Sequence, residues 1–533
     1  MFRRLPGSVA CLLLSLLLVS CSAPAAPPRG RRVVLVAADG ASWGLLSPLM
    51  ARGELPHLAR LYLAGSAGVL TAGEALSPAA IWTSVATGRS RDAHGVVFDA
   101  VRAPGSHELR AVTADQRRVP ALWDIASARE VTVGVAGWPA TWPAEPVRGF
   151  LVAEGYTRQT AGRRGFIHPP GGLGAGGEGG EQLELPPERM TEASVDPFLE
   201  QAFADDVALL SRALSLYRVH QPRLLLLRFR SIDAVAHRFW QYHEPRYLDL
   251  AASRGEPADA ALAARLAPAV AAACRALDAW LGLLQERLPA DATLIVASGW
   301  GMRGVRLTDY LHVDLSRLLA LLGFGENETA SFLTLADTGR LPRGLYLNLP
   351  GREPDGAVPS AEGAAITRRA AEALRALRTL TGDPLFRSVV APGRDGAEPV
   401  IELIENLSID PQATIRVAGR EMTVRELFRR YGQRYAIHDP EGLLLVTGEG
   451  IAPGRTGWTA GILDVAPTVL ALLGLPSGAD MPGLPIPAVV GDGAPLARIP
   501  TWNGAWPLPV PARRDEAEAS EAFEMVRDAG HLE

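Results

Sequence analysis

Short apolar runs recur along the chain and alternate with longer stretches in which apolar residues repeat at helical spacing. Continuous apolar runs separated by helices are typical of β-α-β units, because the strands of a parallel sheet are buried on both faces. The pattern therefore predicts an α/β fold with a doubly wound, mostly parallel sheet. The predicted strands cover residues 32–38, 131–136, 149–152, 223–229, 293–298 and 443–447. The predicted helices cover residues 55–64, 204–219, 259–287 and 465–473.

Two stretches interrupt this alternation. A segment near 162–187, dense in glycine and proline, predicts a loop or linker. Residues 321–433 open with a candidate strand at 344–349 and a charged helix at 361–380, and we interpret them as an inserted cap subdomain. The predicted division is a signal peptide at 1–20, a tether at 21–31, an α/β core at 32–320, the cap at 321–433, a completion of the core at 434–490, and a peripheral tail at 491–533 with an acidic helix at 515–529.

The N-terminus predicts where the protein resides. A basic start precedes an apolar stretch at 10–19 that is too short to span a bilayer. Residues 18–21 resemble a lipobox, at which signal peptidase cuts before a lipidated cysteine, so we expect a membrane anchor at Cys21. Because Ser22 follows rather than an aspartate, similarity to bacterial lipoproteins implies an outer-membrane lipoprotein of the cell envelope, facing the periplasm or the cell surface. The alternative is an ordinary cleaved signal with a chance cysteine.

The composition limits the number of domains and the kinds of partner that the chain can have. With 533 residues, of which 48% are hydrophobic and 21% charged, the chain can build one large α/β domain with insertions or two domains. The formal net charge of -5 comes without long runs of like charge, so we expect no binding to nucleic acid. Lipidation of Cys21 would leave Cys274 as the only thiol of the mature chain, which excludes an intramolecular disulfide.

Polar residues follow two of the predicted strands. Asp39 ends the first strand, Asp233 lies just beyond the strand that ends at Phe229, and His237 comes four residues later. Strand ends of an open parallel sheet meet at one crevice, and a carboxylate and an imidazole one helical turn apart can hold a metal ion. The alternatives are that Asp39 caps a turn and that Asp233 and His237 lie on a solvated helix face.

The block 77–88 carries two neighbouring hydroxyls, Thr83 and Ser84, which we expect to lie ahead of a short helical segment. Free backbone N–H groups at a helix start favour a phosphate. A hydroxyl at such a place can act as a nucleophile if a metal or a base removes its proton. The alternative is that both hydroxyls only cap the helix.

Several short motifs, including those above, follow one another along the chain. They are Asp39-Gly40 with residues 43–58, the block 77–95, residues 137–143, Asp233 with His237 and residues 239–240, the block 343–356, His438 with residues 440–442, and residues 462–468. In this order they resemble the type I phosphodiesterase and nucleotide pyrophosphatase family of the alkaline phosphatase superfamily. The resemblance covers most of residues 32–485 and implies a sheet of alkaline phosphatase type.

The resemblance also implies roles for matching residues. In the family two metal ions, commonly zinc, hold a phosphoryl group between them. Asp233, His237 and His438 would bind one ion. Asp39 and Thr83 would contact the other ion, with Thr83 as the covalent nucleophile.

One motif departs from the family. At the end of the strand 293–298 the family carries an aspartate followed by a histidine, both ligands of the second metal, where this chain has Gly299 and Trp300. Glycine offers no donor, and the indole of tryptophan has only an N–H. We therefore expect one ion, zinc or another divalent metal, rather than two. Trp300 also admits a simpler interpretation, in which the large ring fills the vacated space.

Three hypotheses follow from these residues. The first is a membrane-anchored lipoprotein with impaired phosphodiesterase or phosphohydrolase activity, acting on a phosphodiester or phosphomonoester small molecule or on a lipid head group. The second is a catalytically inactive pseudoenzyme that binds a metal together with a ligand or partner. The third is a metal-free structural relic. Zinc binding separates the third hypothesis from the others, and turnover of a chromogenic phosphodiester separates the first from the second.

Overall fold

The computed structural model describes residues 30–73, 77–102, 109–170, 196–244, 246–247, 259–304, 311–324, 332–334, 343–347, 349–350, 356–391, 401–406, 408–430, 436–491 and 497–504. The predicted signal peptide, Cys21, most of the tether, most of the glycine-rich segment and the predicted tail helix lie outside the described residues.

A nine-stranded sheet forms the centre of the fold. In sheet order its strands are β21 (Arg455–Gly461), β2 (Ser66–Thr71), β20 (Leu443–Thr447), β9 (Ala292–Ser298), β1 (Arg32–Ala38), β8 (Leu224–Phe229), β5 (Val133–Ala136), β6 (Gly149–Val152) and β7 (Ile167–His168). Strands β9, β1, β8, β5 and β6 run parallel to one another. All residues of β8 and β5 are buried, as the continuous apolar runs predict for strands covered on both faces. The predicted α/β fold with a mostly parallel sheet is confirmed.

Two details of the sheet differ from the prediction. The run 443–447 was assigned to a parallel unit, but β20 is antiparallel to both of its neighbours. Strands β2 and β21 were not predicted, because neither is a continuous apolar run. Gly68 in β2 pairs with Trp458 in β21, and a Cβ on Gly68 would lie 2.4 Å from the indole ring. The aromatic ring therefore supplies the apolar cover that the glycine lacks.

The helices connect these strands. They are α1 (Trp43–Ala51), α2 (Pro56–Ala64), α3 (Pro78–Thr87), α4 (Arg91–His94), α5 (Leu122–Ala128), α6 (Pro197–His220), α7 (Ser231–His243), α8 (Ala260–Leu266), α9 (Ala269–Arg287), α10 (Leu315–Leu321), α11 (Ser360–Arg375), α12 (Val465–Leu472) and α13 (Pro487–Val490). Short 3₁₀ turns lie at Ala114–Gln116, Val424–Leu427 and Ile462–Asp464.

The predicted helix at 259–287 is divided into α8 and α9. Pro268 stands between them, where its missing N–H and its ring disfavour a continuous helix. Among the described residues, the stretch Ala260–Arg287 alone has the length and apolar composition of a membrane span. Residues such as Leu281 and Cys274 are buried in the main core, which accounts for the apolar composition.

A second buried core is formed by residues between Val313 and Leu427, so it contains residues of the predicted cap and also residues that precede position 321. Its four-stranded antiparallel sheet has the order β12 (Phe332–Thr334), β13 (Arg343–Leu347), β15 (Ile401–Glu405) and β14 (Phe386–Val390). Residues of α10 and α11 contribute to this core. Two-stranded pairs complete the fold: β3 (Ala100–Arg102) with β4 (Leu109–Ala111), β10 (Gly301–Gly304) with β19 (Ala436–Asp439), β11 (Leu311–Val313) with β18 (Phe428–Arg430), β16 (Thr414–Val417) with β17 (Arg420–Thr423), and β22 (Ser477–Gly478) with β23 (Arg498–Ile499). The domain boundaries themselves stay a prediction.

Candidate metal centre

Three of the predicted ligands converge on one point. Helix α7 begins two residues after β8 ends, so Asp233 and His237 lie on the same face of its first turns. The antiparallel pair of β10 and β19 brings His438 to the same place, opposite Met302. One ligand atom from each of Asp233, His237 and His438 lies within 4.8 Å of the other two. We call these three residues the donor cluster.

The geometry of the donor cluster suits a divalent cation. His438 Nε2 is 3.0 Å from Asp233 Oδ1 and 3.0 Å from His237 Nε2, and His237 Nε2 is 3.7 Å from Asp233 Oδ1. Two imidazoles and a carboxylate are ligands that zinc prefers, and a site with three protein ligands leaves a position open. The side chains of His237 and His438 are 12% and 25% exposed, so solvent reaches the cluster.

The backbone helps to orient one of these imidazoles. His237 Nδ1 lies 3.3 Å from the carbonyl oxygen of Ala436 in β19. With a proton on Nδ1, the ring donates to this carbonyl and keeps the lone pair of Nε2 for a cation, as is usual for histidine ligands of metals. That the cluster holds an ion stays a prediction.

Asp39 is not a member of the donor cluster. It follows β1 and is fully buried. Its Oδ1 accepts a hydrogen bond of 2.7 Å from the Trp82 indole N–H, and its Oδ2 accepts bonds from Arg228 Nε at 3.0 Å and Nη2 at 2.7 Å. Both carboxylate oxygens are therefore already engaged with side chains of the protein.

Arg228 joins Asp39 to a second carboxylate. The side chain of Arg228 is 1% exposed, and its Nη1 donates to Glu154 Oε1 at 2.8 Å. Burial lowers the pKa of Arg228, but the carboxylates of Asp39 and Glu154 outweigh that effect and raise it. Burial raises the pKa of Asp39, Arg228 opposes this, and the carboxylate of Asp233 adds to it. We did not predict a role for Arg228; its signal is a charged residue inside the otherwise apolar run of β8.

Thr83 does not lie where the sequence led us to expect it. Helix α3 begins at Pro78, and its N-cap is Ser77, whose hydroxyl accepts from Ala80 N–H at 3.2 Å. The prediction that Thr83 and Ser84 precede or cap this helix is wrong, because both lie inside it. The N–H of Thr83 is past the helix start, where backbone donors are bonded within the helix rather than available to a phosphate.

The hydroxyl of Thr83 is also inaccessible. Thr83 is 2% exposed, and its Oγ1 is buried with no hydrogen-bond partner among the described residues. A threonine needs a base or a metal to remove its proton before it can attack. The nucleophilic role of Thr83 stays a prediction, and this environment is unfavourable to it.

The neighbouring hydroxyl of Ser84 is bound to a buried histidine. His94 Nε2 lies 3.0 Å from Ser84 Oγ, while His94 Nδ1 accepts the N–H of Val96 at 3.1 Å. Burial lowers the pKa of His94 to about 3, so the ring is neutral near pH 7. This pair fixes α4 against α3 and is closed to solvent, so we assign it a structural role.

Positions 299 and 300, where the resemblance implies an aspartate and a histidine, are closely packed. Trp300 is 2% exposed, and its indole N–H donates to Asp233 Oδ1 at 2.9 Å. Its ring centroid lies 5.8 Å from that of Trp82 and 5.1 Å from that of His438. A Cβ on Gly299 would lie 2.4 Å from Ile81 Cγ2. Trp300 thus fills space beside the donor cluster, and Ile81 occupies the space that an aspartate at 299 would need.

The two sides of the crevice therefore differ in their fitness for a metal. The donor cluster fits a divalent cation by the chemistry and spacing of its side chains. The surroundings of Asp39 do not, because Arg228 and Trp82 already occupy its oxygens and positions 299 and 300 supply no donor.

Comparison with known protein families identifies the chain. The family model described as type I phosphodiesterase / nucleotide pyrophosphatase matches residues 33–395. The chain belongs to this family. Its members are metal-dependent hydrolases that act on phosphodiesters and nucleotides. The family match confirms the resemblance drawn from the motifs, and it includes Asp39, Asp233 and positions 299 and 300 but ends before His438.

Solved structures of similar shape include ectonucleotide pyrophosphatase/phosphodiesterase 5 from human, with 13% identity, a TM-score of 0.45, and coverage of 87% of this chain and 99% of the other. They also include an inactive variant of the murine protein in complex with AMP, with 13% identity, a TM-score of 0.47 and the same coverage. Similarity at this level assigns no residue a role. No curated protein matches the chain significantly.

Proposed function

We propose that this chain is a membrane-anchored pseudoenzyme of the family, which holds one divalent cation at the donor cluster and binds a phosphate-bearing ligand there without covalent catalysis by Thr83. The observation that carries the proposal is the engagement of both oxygens of Asp39 by Arg228 and Trp82. With the positive charge of Arg228 fixed against its carboxylate, Asp39 is a poor ligand for a second cation, and hydrolysis through a threonine alkoxide needs that ion.

The donor cluster supports the first part of the proposal, the binding of a cation and a phosphate-bearing ligand. A divalent cation held by Asp233, His237 and His438 is a Lewis acid that attracts phosphate oxygens. The ligand class is a phosphodiester or phosphomonoester small molecule, or a lipid head group. The family acts on phosphodiester and nucleotide compounds, which supports this class.

The burial of Thr83 supports the second part of the proposal, that Thr83 does not act as a nucleophile. Its hydroxyl is buried inside α3, and no imidazole or carboxylate is hydrogen-bonded to it among the described residues. The nearest alternative hydroxyl, that of Ser84, faces His94 Nε2, which carries the proton of the neutral ring because His94 Nδ1 accepts from the N–H of Val96, so this ring cannot take the proton of Ser84. Neither hydroxyl has a route to an alkoxide near neutral pH.

A second candidate is a hydrolase that uses water at the single cation. The partial exposure of His237 and His438 favours it, because water reaches the cluster. A cation with an open position can lower the pKa of bound water toward neutrality. Impaired phosphohydrolase activity of this kind would not depend on Thr83.

Metal binding and turnover test the proposal together. We expect zinc or cobalt titration to give one ion per chain in the wild type, none in the His237→Ala/His438→Ala double variant, and one in His243→Ala, a matched control on the same helix. With a chromogenic phosphodiester, we expect no turnover above that of the double variant. Metal-dependent turnover would establish the second candidate, and an absence of bound metal in the wild type would contradict both.

The anchor needs its own test. We expect the chain to fractionate with the outer membrane and to incorporate labelled fatty acid, and we expect Cys21→Ser to abolish labelling. Labelling that persists in the Cys21→Ser variant would contradict the anchor without bearing on the metal centre.

A further inference from the structure

We infer that the guanidinium of Arg228 is a built-in cation that stands where the family would use a metal ion at Asp39. The inference does not depend on whether the donor cluster holds an ion. It concerns the other side of the crevice, where the residues disagree with a metal site. Arg228 acts there as a positioning residue, since it touches only side chains and backbone of the protein.

The first support is the geometry of the contact. Nε and Nη2 of Arg228 both donate to Asp39 Oδ2, at 3.0 and 2.7 Å. The third nitrogen, Nη1, donates to Glu154 at 2.8 Å and lies 3.5 Å from the carbonyl oxygen of Gly137. Each guanidinium nitrogen therefore has an acceptor within the protein. At most one of the five N–H groups, the second on Nη2, has no acceptor among these contacts, so the guanidinium cannot offer two donors to a phosphate as a ligand clamp does.

The second support is the balance of charge. Asp39 is 0% exposed, and an ionised carboxylate in such a place requires a compensating charge. In a metal-dependent relative that charge would come from the ion. Here Arg228, 1% exposed, supplies a positive charge that it shares between Asp39 and the partly exposed Glu154. An ion that approached Asp39 would have to displace one of these donors and share the carboxylate with a fixed positive charge.

The third support is the position of Arg228 in the sheet. Every residue of β8 is buried, and Arg228 is its only charged member. Arg228 pairs in register with Ala37 of β1, two residues before Asp39, so two adjacent parallel strands fix the contact. A charged side chain at this place would be strongly unfavourable without its two carboxylates.

Chemical rescue tests the inference. In the full chain, Arg228→Ala removes the guanidinium and leaves Asp39 and Glu154 facing the space. We expect its Tm to fall by at least about 5 °C, because breaking one side of a buried ion pair is costly. Millimolar guanidinium, well below denaturing concentrations, should then raise the Tm of Arg228→Ala saturably, whereas urea and sodium chloride should not. The matched control is Arg148→Ala, which removes an arginine that pairs with Glu130 at the surface.

Two outcomes would overturn the inference. One is an Arg228→Ala variant as stable as Arg148→Ala, and the other is an Arg228→Ala variant that folds but gains nothing from guanidinium. If Arg228→Ala does not fold, the neutral pair Arg228→Gln/Asp39→Asn is compared with Arg228→Gln alone. A higher Tm for the pair supports charge compensation, and an equal or lower Tm refutes it. Tighter binding of a second zinc ion by Arg228→Ala than by the wild type would also support the replacement of an ion by Arg228.

Discussion

The donor cluster and the surroundings of Asp39 lie at the same end of the sheet but differ in how their polar atoms are used. In the donor cluster three side chains from α7 and β19 face one another, and two of them remain partly exposed. Around Asp39 each carboxylate oxygen accepts a hydrogen bond, from Trp82 or from Arg228, and the Trp82 ring separates Asp39 from open space. The donor cluster presents possible ligands, whereas Asp39 lies in the core within an internal ion pair.

This difference shows what a buried carboxylate needs when no metal ion compensates its charge. Removal of two ligands alone would leave an empty space and an uncompensated carboxylate, and both are destabilising. Here Trp300 and Ile81 occupy the space, and Arg228 supplies the charge. The packing and charge balance around Asp39 therefore depend on residues far apart in the sequence, not on positions 299 and 300 alone.

The largest expected effect is the difference between the Asp39→Ala and Asp233→Ala variants in stability and metal binding. We expect Asp39→Ala to lower the free energy of unfolding by about 3–5 kcal/mol, because it leaves Arg228 buried without one of its partners, and to leave the number of bound ions unchanged. We expect Asp233→Ala to abolish binding of the ion at a smaller cost in stability. Urea unfolding and metal titration measure the two quantities, with the exposed Asp92→Ala as control. Loss of the ion in Asp39→Ala would contradict the separation.

The next prediction concerns the introduction of an aspartate and a histidine at positions 299 and 300. We expect the Gly299→Asp/Trp300→His variant to bind no second ion and to lose about 1–3 kcal/mol of stability, because the new side chain collides with Ile81. Adding Ile81→Ala should relieve the collision and recover part of the loss. Two tightly bound ions in the double variant, measured by metal analysis after dialysis, would show that Arg228 is no barrier.

A smaller effect is expected from pH. His94 on the buried side has its pKa lowered from 6.5 to about 3, so the folded state disfavours its protonated form. Its contribution to stability is present above pH 6.5 and is lost as the pH falls toward 3, because the unfolded chain takes up the proton first. Relative to His94→Gln, the wild type should lose about 2 kcal/mol between pH 6.5 and 5. A stability difference that stays constant over this range would show that His94 does not titrate in this way.

The smallest effect is spectroscopic. The Trp300 ring lies 5.1 Å from that of His438, so a paramagnetic ion such as copper at the donor cluster should quench part of the tryptophan emission. Trp300→Phe should reduce this quenching. Trp502→Phe, which removes a ring stacked near Arg129, should not. Equal quenching in all three proteins would place the ion elsewhere.

The residues explain how much the sequence could predict. Asp233 and His237 could be found locally, because a strand end followed by an i, i+4 pair on a helix fixes their relation. His438 is far away in the chain, and only the resemblance to the family indicated it. The position of Asp39 was predictable from the end of β1, but its partner was not, since Arg228 lies on a neighbouring strand and its register depends on the whole sheet.

The same reasoning explains the errors. Hydroxyls near a helix start cannot be placed on one or the other side of it by composition alone, and Ser77 takes the cap that we assigned as an alternative to Thr83 and Ser84. Strands β2 and β21 lack long apolar runs, and the ring of Trp458 covers Gly68 where the two strands pair. Tertiary contacts decide both cases.

The pairing of β10 with β19 gives the donor cluster a further property. His237 and His438 are separated by 201 positions, and the whole four-stranded sheet of the second core is encoded between them. A cation at this point would cross-link the segment that precedes the second core to the segment that follows it, and so close a long loop. A bound cation would then hold the second core more firmly to the main sheet. Slower proteolysis of the segment that leads into β19, in the presence of the cation, would measure this effect.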